Sequence, residues 1–468
     1  MLAAGRRLLF SFTPPQLRVL SRGDNAAIPP PLPPAPGGGF RRGFAALRHR
    51  NYRYYWLGQI VSLVGTWMQS VSQPWLVLLL GGDAFQLGTV IALQFAPAMV
   101  LAPLGGVLAD RIDKRRALIG AQVVAMVQAS ILFGLTVTGV VEIWHVMVLA
   151  AMLGVVNAVE MPMRQSFAAE LVPREDLMNA IALNSASFNL ARVVGPAVAG
   201  IGLALFGPAF NFGVNAVSYL AVLFGLSRMD YRPVRRLDGA EPRQSVRSSL
   251  AEGLRYAART PSVLWPLVLL GGMSTFAMNF QTLLPLFARN TLGLGAEGYG
   301  ALFAAMGAGA LIGSMWLAYA GSGRPLVGLI LGGAVFFIGF EVALGLTRSA
   351  LVAYPLVLAL GLASMLMVNT INVTIQNSVS DELRGRVMSL YVTVFAGSAP
   401  IGGFFAGAVA QLWGPPAGFV LGAIVASAFV GLVSWKLLVR GGAGTDTAAA
   451  RVGPAATEPP GGRRAANQ

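Results

Sequence analysis

The chain contains no cysteine and only two histidines among its 468 residues. The absence of cysteine excludes disulfide bonds and thiolate metal sites, and two histidines are too few for a histidine metal cluster. Charged residues are also scarce, at 11%, whereas an ordinary soluble domain carries roughly 25%. The sequence has no phosphate-binding loop of the G-x-x-x-x-G-K-[ST] kind, so it shows no means of using ATP. We therefore expect neither enzyme chemistry, nor a cofactor, nor a bound metal.

Apolar residues are abundant instead. They make up 55% of the chain, and the mean hydropathy is +0.65. Apolar runs long enough to cross about 30 Å of hydrocarbon recur from residue 54 to residue 439. This pattern predicts an all-α membrane protein with the lipid bilayer as its surroundings. The predicted spans are 54–80, 87–109, 116–138, 143–165, 177–206, 209–228, 262–288, 298–320, 325–346, 351–377, 386–411 and 416–439.

The net charge of +15 is distributed in a way that argues against a nucleic-acid partner. Basic residues concentrate in alternate connections, which is typical of the cytoplasmic side of a membrane protein. The connections predicted to lie outside carry only Arg289 and Arg348. We expect a cell (inner) membrane location with both termini cytoplasmic. The predicted cytoplasmic connections hold Arg111, Lys114, Arg115, Arg116, Arg174, Arg228, Arg232, Arg235, Arg236, Arg243, Arg247, Arg255, Arg259, Arg324, Arg384 and Arg386.

The second half of the stretch 157–200 is repeated at 379–407 with an offset of 207 residues, which aligns Glu175 with Glu382 and Gly200 with Gly407. A shared offset over two helix–turn–helix passages indicates an internal duplication, and parallel repeats in an apolar chain are typical of transporters. We therefore predict two pseudo-symmetric six-helix halves. The predicted segments are a disordered tail over 1–40, halves over 41–228 and 262–440, a cytoplasmic linker with an amphipathic helix over 229–261, and a disordered tail over 441–468.

The connection after the second predicted span reads GGVLADRIDKRRAL. It resembles the G-x-L-A-D-R-x-G-R-[RK] signature of the major facilitator superfamily. Asp113 stands where the signature has its second glycine, and we expect Asp to tolerate the left-handed turn there. The resemblance implies the twelve-helix major facilitator fold and a loop that latches the two halves in one conformation. The latch residues would be Gly106, Asp110, Arg111, Lys114 and Arg115.

The segment LVPREDLMNAIALNSASFNLARVVGPAVAG, with FAALRHRNYRYYWLGQIVSLVGTWMQ and NFQTLLPLFAR, resembles the transmembrane secretion effector subfamily, which includes enterobactin exporters and macrolide efflux proteins. The likeness covers roughly residues 43 to 440. RVVGPAVAG also approximates the glycine–proline motif of antiporters at Gly195, Pro196 and Gly200. The resemblance implies export rather than uptake.

Ionisable residues inside predicted spans are candidates for coupling or for the pathway, because charge is expensive in a membrane. Glu160 and Arg164 are four residues apart on one helix and can pair, and Gln165 follows them. Arg192 is predicted near mid-membrane, either paired with Glu160 or Asn184 or acting on substrate or coupling. Glu341 is predicted late in its helix, near the outer surface, as a proton site.

Polar side chains recur on the first, seventh and tenth predicted spans. They either hold helices together or line the central cavity that the family resemblance implies for these helices. The cavity candidates are Gln59, Gln69, Gln73, Asn279, Gln281, Asn369, Asn372 and Gln376.

These features predict a secondary active transporter that works by alternating access. The preferred function is proton-coupled efflux of a small hydrophobic or siderophore-like molecule by a monomer. A facilitator of another substrate class, such as a lysolipid or a sugar, and a non-transporting membrane sensor remain alternatives.

Overall fold

The computed structural model describes residues 43–231, 246–320 and 326–449. Within these ranges the chain is helical, with short connections and no strand. The predicted tail over 1–40, the middle of the predicted linker over 232–245, and residues 450–468 lie outside the described residues. The fold is thus the all-α membrane architecture that the apolar runs predict.

The first half opens with a short 3-10 turn over Ala45–Arg48. Four helices follow, and then one long stretch, Leu177–Arg228, which is interrupted at Gly207. We label its parts α5 (177–206) and α6 (208–228). The four preceding helices are α1 (Arg50–Leu79), α2 (Ala84–Arg111), α3 (Lys114–Val137) and α4 (Ile143–Glu170).

The second half follows a linker helix, α7 (Val246–Arg259). Its first span is broken into α8 (Pro261–Phe276) and α9 (Phe280–Asn290), because the amides of Ala277 and Met278 both bond to the carbonyl of Met273 and end the first piece. The remaining helices are α10 (Ala296–Ala320), α11 (Leu326–Leu346), α12 (Ala350–Asn377), α13 (Asp381–Trp413) and α14 (Pro415–Ala449). Residues 441–449, predicted as part of the C-terminal tail, continue α14.

Nine described helical stretches are long and apolar enough to cross a membrane, and one of them, Arg174–Arg228, contains both α5 and α6. A further apolar helical segment, Ala84–Met99, belongs to α2. With α1, and with α8 and α9 taken as one broken span, the arrangement is consistent with the predicted twelve helices.

Two glycines with positive φ separate the last two spans of each half. Gly207 has φ of 77° and Gly414 has φ of 85°, a region that glycine enters without a steric penalty. Each is followed by a proline, Pro208 and Pro415, whose ring suits the first turn of the next helix. The two glycines are 207 residues apart, so the backbone repeats with the offset found in the sequence.

Glycines bring the halves close together at two helix crossings, α5 with α10 and α2 with α13. A Cβ atom built on Gly300 of α10 would lie 2.4 Å from the Cα of Gly200 of α5, and one built on Gly88 of α2 would lie 2.3 Å from the carbonyl oxygen of Gly403 of α13. Only glycine permits such a close backbone approach. Gly407, which is 207 residues after Gly200, also packs against Gly88.

Both glycine contacts lie toward the predicted extracellular end of the bundle. Further cross-half contacts occur at the same end. The Arg289 guanidinium donates to the carbonyl of Leu78, and the Ala84 amide donates to Gln411 Oε1 at 3.0 Å. The ring of Trp75 stacks on Tyr299 with centroids 5.2 Å apart. The two halves are therefore closed against each other at this end.

The linker helix α7 packs against the second half. Arg386 Nη1 of α13 lies 2.6 Å from Glu252 Oε1, and the Tyr256 hydroxyl donates to the carbonyl of Ser378 at 3.3 Å. Gly253 lies against the backbone of Arg386. The predicted amphipathic helix is present, and its described contacts join it to the start of α13 and the end of α12.

Candidate functional site

A charged cluster lies between α3 and α4 inside the first half. Glu160 is 8% exposed, and its Oε1 lies 3.7 Å from Arg164 Nη1. Gln122 Nε2 donates to the same oxygen at 3.0 Å. The predicted pair of Glu160 with Arg164 is present in the structure. The neighbouring Gln165 points to the exposed side of α4.

Arg192 lies in a different environment. Its Nη1 lies 3.7 Å from the sulfur of Met365 on α12, and its backbone carbonyl packs against Gly307 of α10. It is therefore at the contact between the halves, and its hydrogen-bond partner in the described part of the chain is a weak acceptor. The expected pairing with Glu160 does not occur, because that carboxylate is paired with Arg164 instead.

Glu341 is a fully buried carboxyl on α11. It has 0% exposure, and neither carboxylate oxygen has a hydrogen-bond partner among the described residues. One turn to either side along the helix, Phe337 meets Phe280 edge-to-face, and Gly345 packs against Phe419 and Val420. The carboxyl is therefore enclosed within the second half, on a helix face that packs on apolar groups. It lies late in α11, and its place near the outer surface of the membrane stays a prediction.

The amides of α1 form a buried network rather than a cavity wall. Gln69 is 1% exposed, donates to Gln128 Oε1 at 3.1 Å and accepts from Asn215 Nδ2 at 2.7 Å. Gln73 donates to Gln94 Oε1 at 3.2 Å. Because these bonds join α1 to α2, α3 and α6, the cavity assignment of Gln69 and Gln73 is corrected to a structural one. Gln59 is also buried on α1.

Sequence reasoning missed the partners of this network, which are Gln94, Gln128 and Asn215. A second buried amide, Asn211, donates to Ser72 Oγ at 2.7 Å and to the carbonyl of Ala199 at 2.9 Å. Their signal was available, since a buried amide in an apolar helix needs a hydrogen-bond partner there.

The polar candidates of the second half divide into two groups. Asn279 is buried at the break between α8 and α9, where it donates to the carbonyl of Thr275 at 2.8 Å, whereas Gln281 is half-buried. Three candidates lie on α12 and are half-buried. Asn369 donates to Ser314 Oγ at 3.3 Å, and Gln376 donates to Asn372 Oδ1 at 2.5 Å.

The described part of the predicted latch is bonded within the first half. Lys114 donates to Ser166 at 2.5 Å and also contacts Glu170. Tyr231 donates to the same carboxylate at 2.7 Å, and burial together with this bond raises the pKa of its hydroxyl. Arg115 donates to the carbonyls that end α6, those of Leu226 at 2.8 Å and Ser227 at 3.1 Å.

Gly106, Asp110 and Arg111 belong to α2, but their side-chain positions lie outside the described part of the structure. The expectation of a left-handed turn at Asp113 is wrong. Its backbone is extended, with φ −62° and ψ 106°, and its carboxylate accepts from the Arg116 amide at 3.2 Å. Asp113, which stands at the position of the signature's second glycine, is therefore the N-cap of α3.

The glycine–proline motif of α5 lies against other helices on both sides. A Cβ atom on Gly195 would lie 2.4 Å from the Cβ of Trp67 on α1. Pro196 is buried, and its carbonyl packs against Gly300. Gly200 forms the contact with α10 described above. The motif thus lets α5 approach both α1 of its own half and α10 of the other.

Among the described residues no group of three or more His, Cys, Asp or Glu side chains could hold a metal ion. The described residues instead offer two halves in contact, Arg192 where α5 meets the other half, and a buried carboxyl inside each half. Such a constellation suits movement of one half against the other around a solute.

Comparison with known proteins agrees with this architecture. The family model described as transmembrane secretion effector matches residues 41–455. The staphyloferrin A transporter of Staphylococcus aureus is 24% identical over 374 residues, covering 77% of this chain and 90% of that protein. The enterobactin exporter EntS of Escherichia coli is 27% identical over 270 residues, covering 57% of this chain and 63% of the exporter.

Solved structures show the same fold at low sequence identity. A bacterial homologue of the human lysosomal transporter Spinster, in an inward-facing and unoccupied conformation, has a TM-score of 0.65 at 15% identity over 86% of this chain and 98% of that one. The nucleoside transporter NupG has a TM-score of 0.65 at 11% identity over 83% and 98%. The chain therefore belongs to the transmembrane secretion effector family of the major facilitator superfamily, and it is a multi-pass membrane transporter of small molecules rather than an enzyme.

Proposed function

We propose that this transporter exports a small hydrophobic or siderophore-like compound from the cytoplasm by alternating access, driven by protons entering in exchange. The observation that carries the proposal is the closure of the two halves by the paired glycine contacts at the predicted extracellular end. A transporter held shut at one end loads from the other. The relatedness to an enterobactin exporter and to a staphyloferrin transporter supports a siderophore-like substrate.

The direction of loading depends on the orientation in the membrane. The described basic residues at the opposite end include Lys114, Arg115, Arg116, Arg174, Arg384 and Arg386, whereas the end with the glycine contacts carries Arg289 and Arg348. The excess of basic residues supports a cytoplasmic location for the end opposite the glycine contacts. The structure would then be the inward-facing state of the transport cycle. In this proposal the protein is a monomer in the inner membrane, with both termini in the cytoplasm.

The experiment is an export assay in a host that lacks its principal exporters. Cells with and without the protein are loaded with a panel of siderophores and apolar drugs, and release is followed with and without a proton uncoupler. We expect release of at least one compound that requires the protein and stops when the uncoupler is added. Protein-dependent release that ignores the uncoupler would contradict proton coupling, and uptake instead of release would contradict the direction.

Glu341 is our first candidate for the coupling residue. Ionising a buried carboxyl without a partner costs several kcal/mol, so a proton should leave it only when the surrounding helices move. Glu341→Gln keeps the shape of the side chain and removes the titration. We expect this variant to lose uncoupler-sensitive export while it still equilibrates substrate down a concentration gradient. Loss of both activities in a correctly folded variant would assign Glu341 a different role.

Glu160 is the competing carboxyl. It is already paired with Arg164 and hydrogen-bonded by Gln122, so its charge is compensated in this conformation. Measuring uncoupler-sensitive export for Glu160→Gln and Glu341→Gln side by side therefore shows which carboxyl carries the proton. The alternatives of a facilitator for a lysolipid or sugar, and of a sensor without transport, are tested by the same export assay in cells. A facilitator shows flux without coupling, and a sensor shows no flux.

A further inference from the structure

Arg192 stands at the middle of α5, with fifteen residues before it and fourteen after it in the span 177–206. At about 1.5 Å of rise per residue, either end of the helix is more than 20 Å away. The side chain cannot reach the lipid headgroups over that distance. Its charge must therefore be compensated inside the protein.

The described residues do not supply a counter-ion. Their ion pairs join His49 to Asp176, Lys114 to Glu170, Arg116 to Asp113, Arg164 to Glu160 and Arg386 to Glu252. Within the same described ranges the hydrogen-bond partner of the Arg192 guanidinium is the thioether of Met365, which is neutral and a weak acceptor. The other membrane arginine, Arg164, differs in having its own carboxylate on the same helix.

The groups nearest along each helix suit an organic ligand. Phe188, one turn before Arg192 on α5, is partly exposed and meets the indole of Trp67 edge-to-face at 6.0 Å. On α12, one turn past Met365, Asn369 is half-buried and supplies an amide. The first half thus contributes the cation and aromatic surface, and the second half contributes polar and thioether groups.

We propose that Arg192 is an anion-binding residue of the transport pathway, and that the transported compound carries a carboxylate or similar organic anion on an apolar body. The anion would supply the missing counter-charge between the halves. This inference rests on the proposed transport function and narrows its substrate class. A neutral drug, in contrast, leaves the guanidinium uncompensated and binds more weakly.

A purely structural role for Arg192 makes a different prediction. If the side chain only packs against Met365 to hold the halves together, its substitution changes stability without discriminating between charged and neutral ligands. The discriminating measurement is therefore the preference for an acid over the matched amide, because shape and apolar area are nearly the same in the two. Charge-assisted hydrogen bonds contribute more than neutral ones.

The test uses the full chain in detergent and equilibrium binding of radiolabelled probes. The acids are benzoate, 2-naphthoate and biphenyl-4-carboxylate, and each has its primary amide as the neutral partner. We expect the wild type to bind at least one acid about tenfold or more tightly than its amide. Arg192→Gln should abolish that preference, whereas Arg192→Lys should retain part of it. Arg348→Gln, which removes an exposed arginine beyond the end of α11, is the matched control and should bind as the wild type does.

Size-exclusion profiles and thermal unfolding establish that each variant is folded before binding is compared. The proposal is overturned if the wild type shows no acid preference, or if Arg192→Gln keeps it. Because binding in detergent needs no gradient, this result is independent of the export assay. An acid preference without export in the cell assay would refute the proposed function and leave the anion site standing.

Discussion

The glycine contact between α5 and α10 gives the sharpest test of how the two halves are held together. We consider Gly300→Ala and Gly300→Val, which place a Cβ atom and then a branched side chain at the crossing. The Cβ atom would lie 2.4 Å from the Cα of Gly200 and 2.9 Å from the carbonyl oxygen of Pro196. Both are backbone atoms, so the clash cannot be relieved by a side chain changing its rotamer.

The magnitude follows from that distance. Ordinary contacts of a Cβ atom begin near 3.4 Å, so the two helices must separate by roughly 1 Å or more at the crossing. Overpacking of this kind costs about 1–3 kcal/mol. Because the cost falls on the state in which the halves touch at this end, it shifts the ratio of open to closed by about 5–150-fold. The valine variant should lie further toward the open state than the alanine variant.

The absence of cysteine makes the measurement clean, since spin labels attach only where cysteines are introduced. Val140→Cys and Ser349→Cys place one label on each half, in exposed connections at the predicted extracellular end. Double electron–electron resonance then reports the distance distribution between them. We expect longer distances to gain population in Gly300→Ala and to dominate in Gly300→Val.

The matched control is Gly332 on α11, where a Cβ atom meets nothing within 4 Å. Gly332→Ala and Gly332→Val should leave the distance distribution as it is in the labelled parent. If both Gly300 variants also keep the parental distribution and the parental transport rate, the glycine contact does not hold this end closed.

Three further predictions follow from described contacts. Impermeant maleimides should label Glu175→Cys and Ser349→Cys from opposite sides of the membrane, and labelling of both from one side would contradict the helix count. Gln69→Leu should lower the thermal unfolding temperature in detergent, because it removes the partners of Gln128 Oε1 and Asn215 Nδ2 at about 1–3 kcal/mol each; an unchanged temperature would show that these bonds add no stability. Glu160→Gln should destabilise by leaving Arg164 unpaired, and Arg164→Gln added to it should recover much of the loss, whereas additive losses would contradict the pairing.

The fold was largely readable from the sequence because its signals are periodic and repeated. The length of the apolar runs reflects the thickness of the hydrocarbon, and each run is a helix since the membrane offers no other partner for backbone groups. The offset of 207 residues joined Gly200 to Gly407. The backbone extends the same offset to Gly207 and Gly414, the two positive-φ residues before a proline.

The sequence did not predict which way individual polar side chains point from their helices. Gln69 and Gln73 lie on α1, which the family resemblance places at the cavity, yet both bond into the first half. A helix at the centre of the bundle has one face toward the cavity and another toward its own half. Because polar residues mark either face, their presence alone could not separate a cavity wall from a buried amide network.

Among the charged residues, one ion pair was predictable from the sequence and the surroundings of Arg192 were not. The difference lies in the spacing of the charges along the helix. Glu160 and Arg164 are four residues apart, so their pairing was predictable from one helix. Arg192 has no acid within four residues on α5, and its surroundings depend on α10 and α12 from the other half. A charge whose partner cannot be found on its own helix must be compensated by tertiary structure or by a ligand. In the described part of this transporter the hydrogen-bond partner of Arg192 is a thioether, and for that reason we propose that an anionic solute supplies its counter-charge.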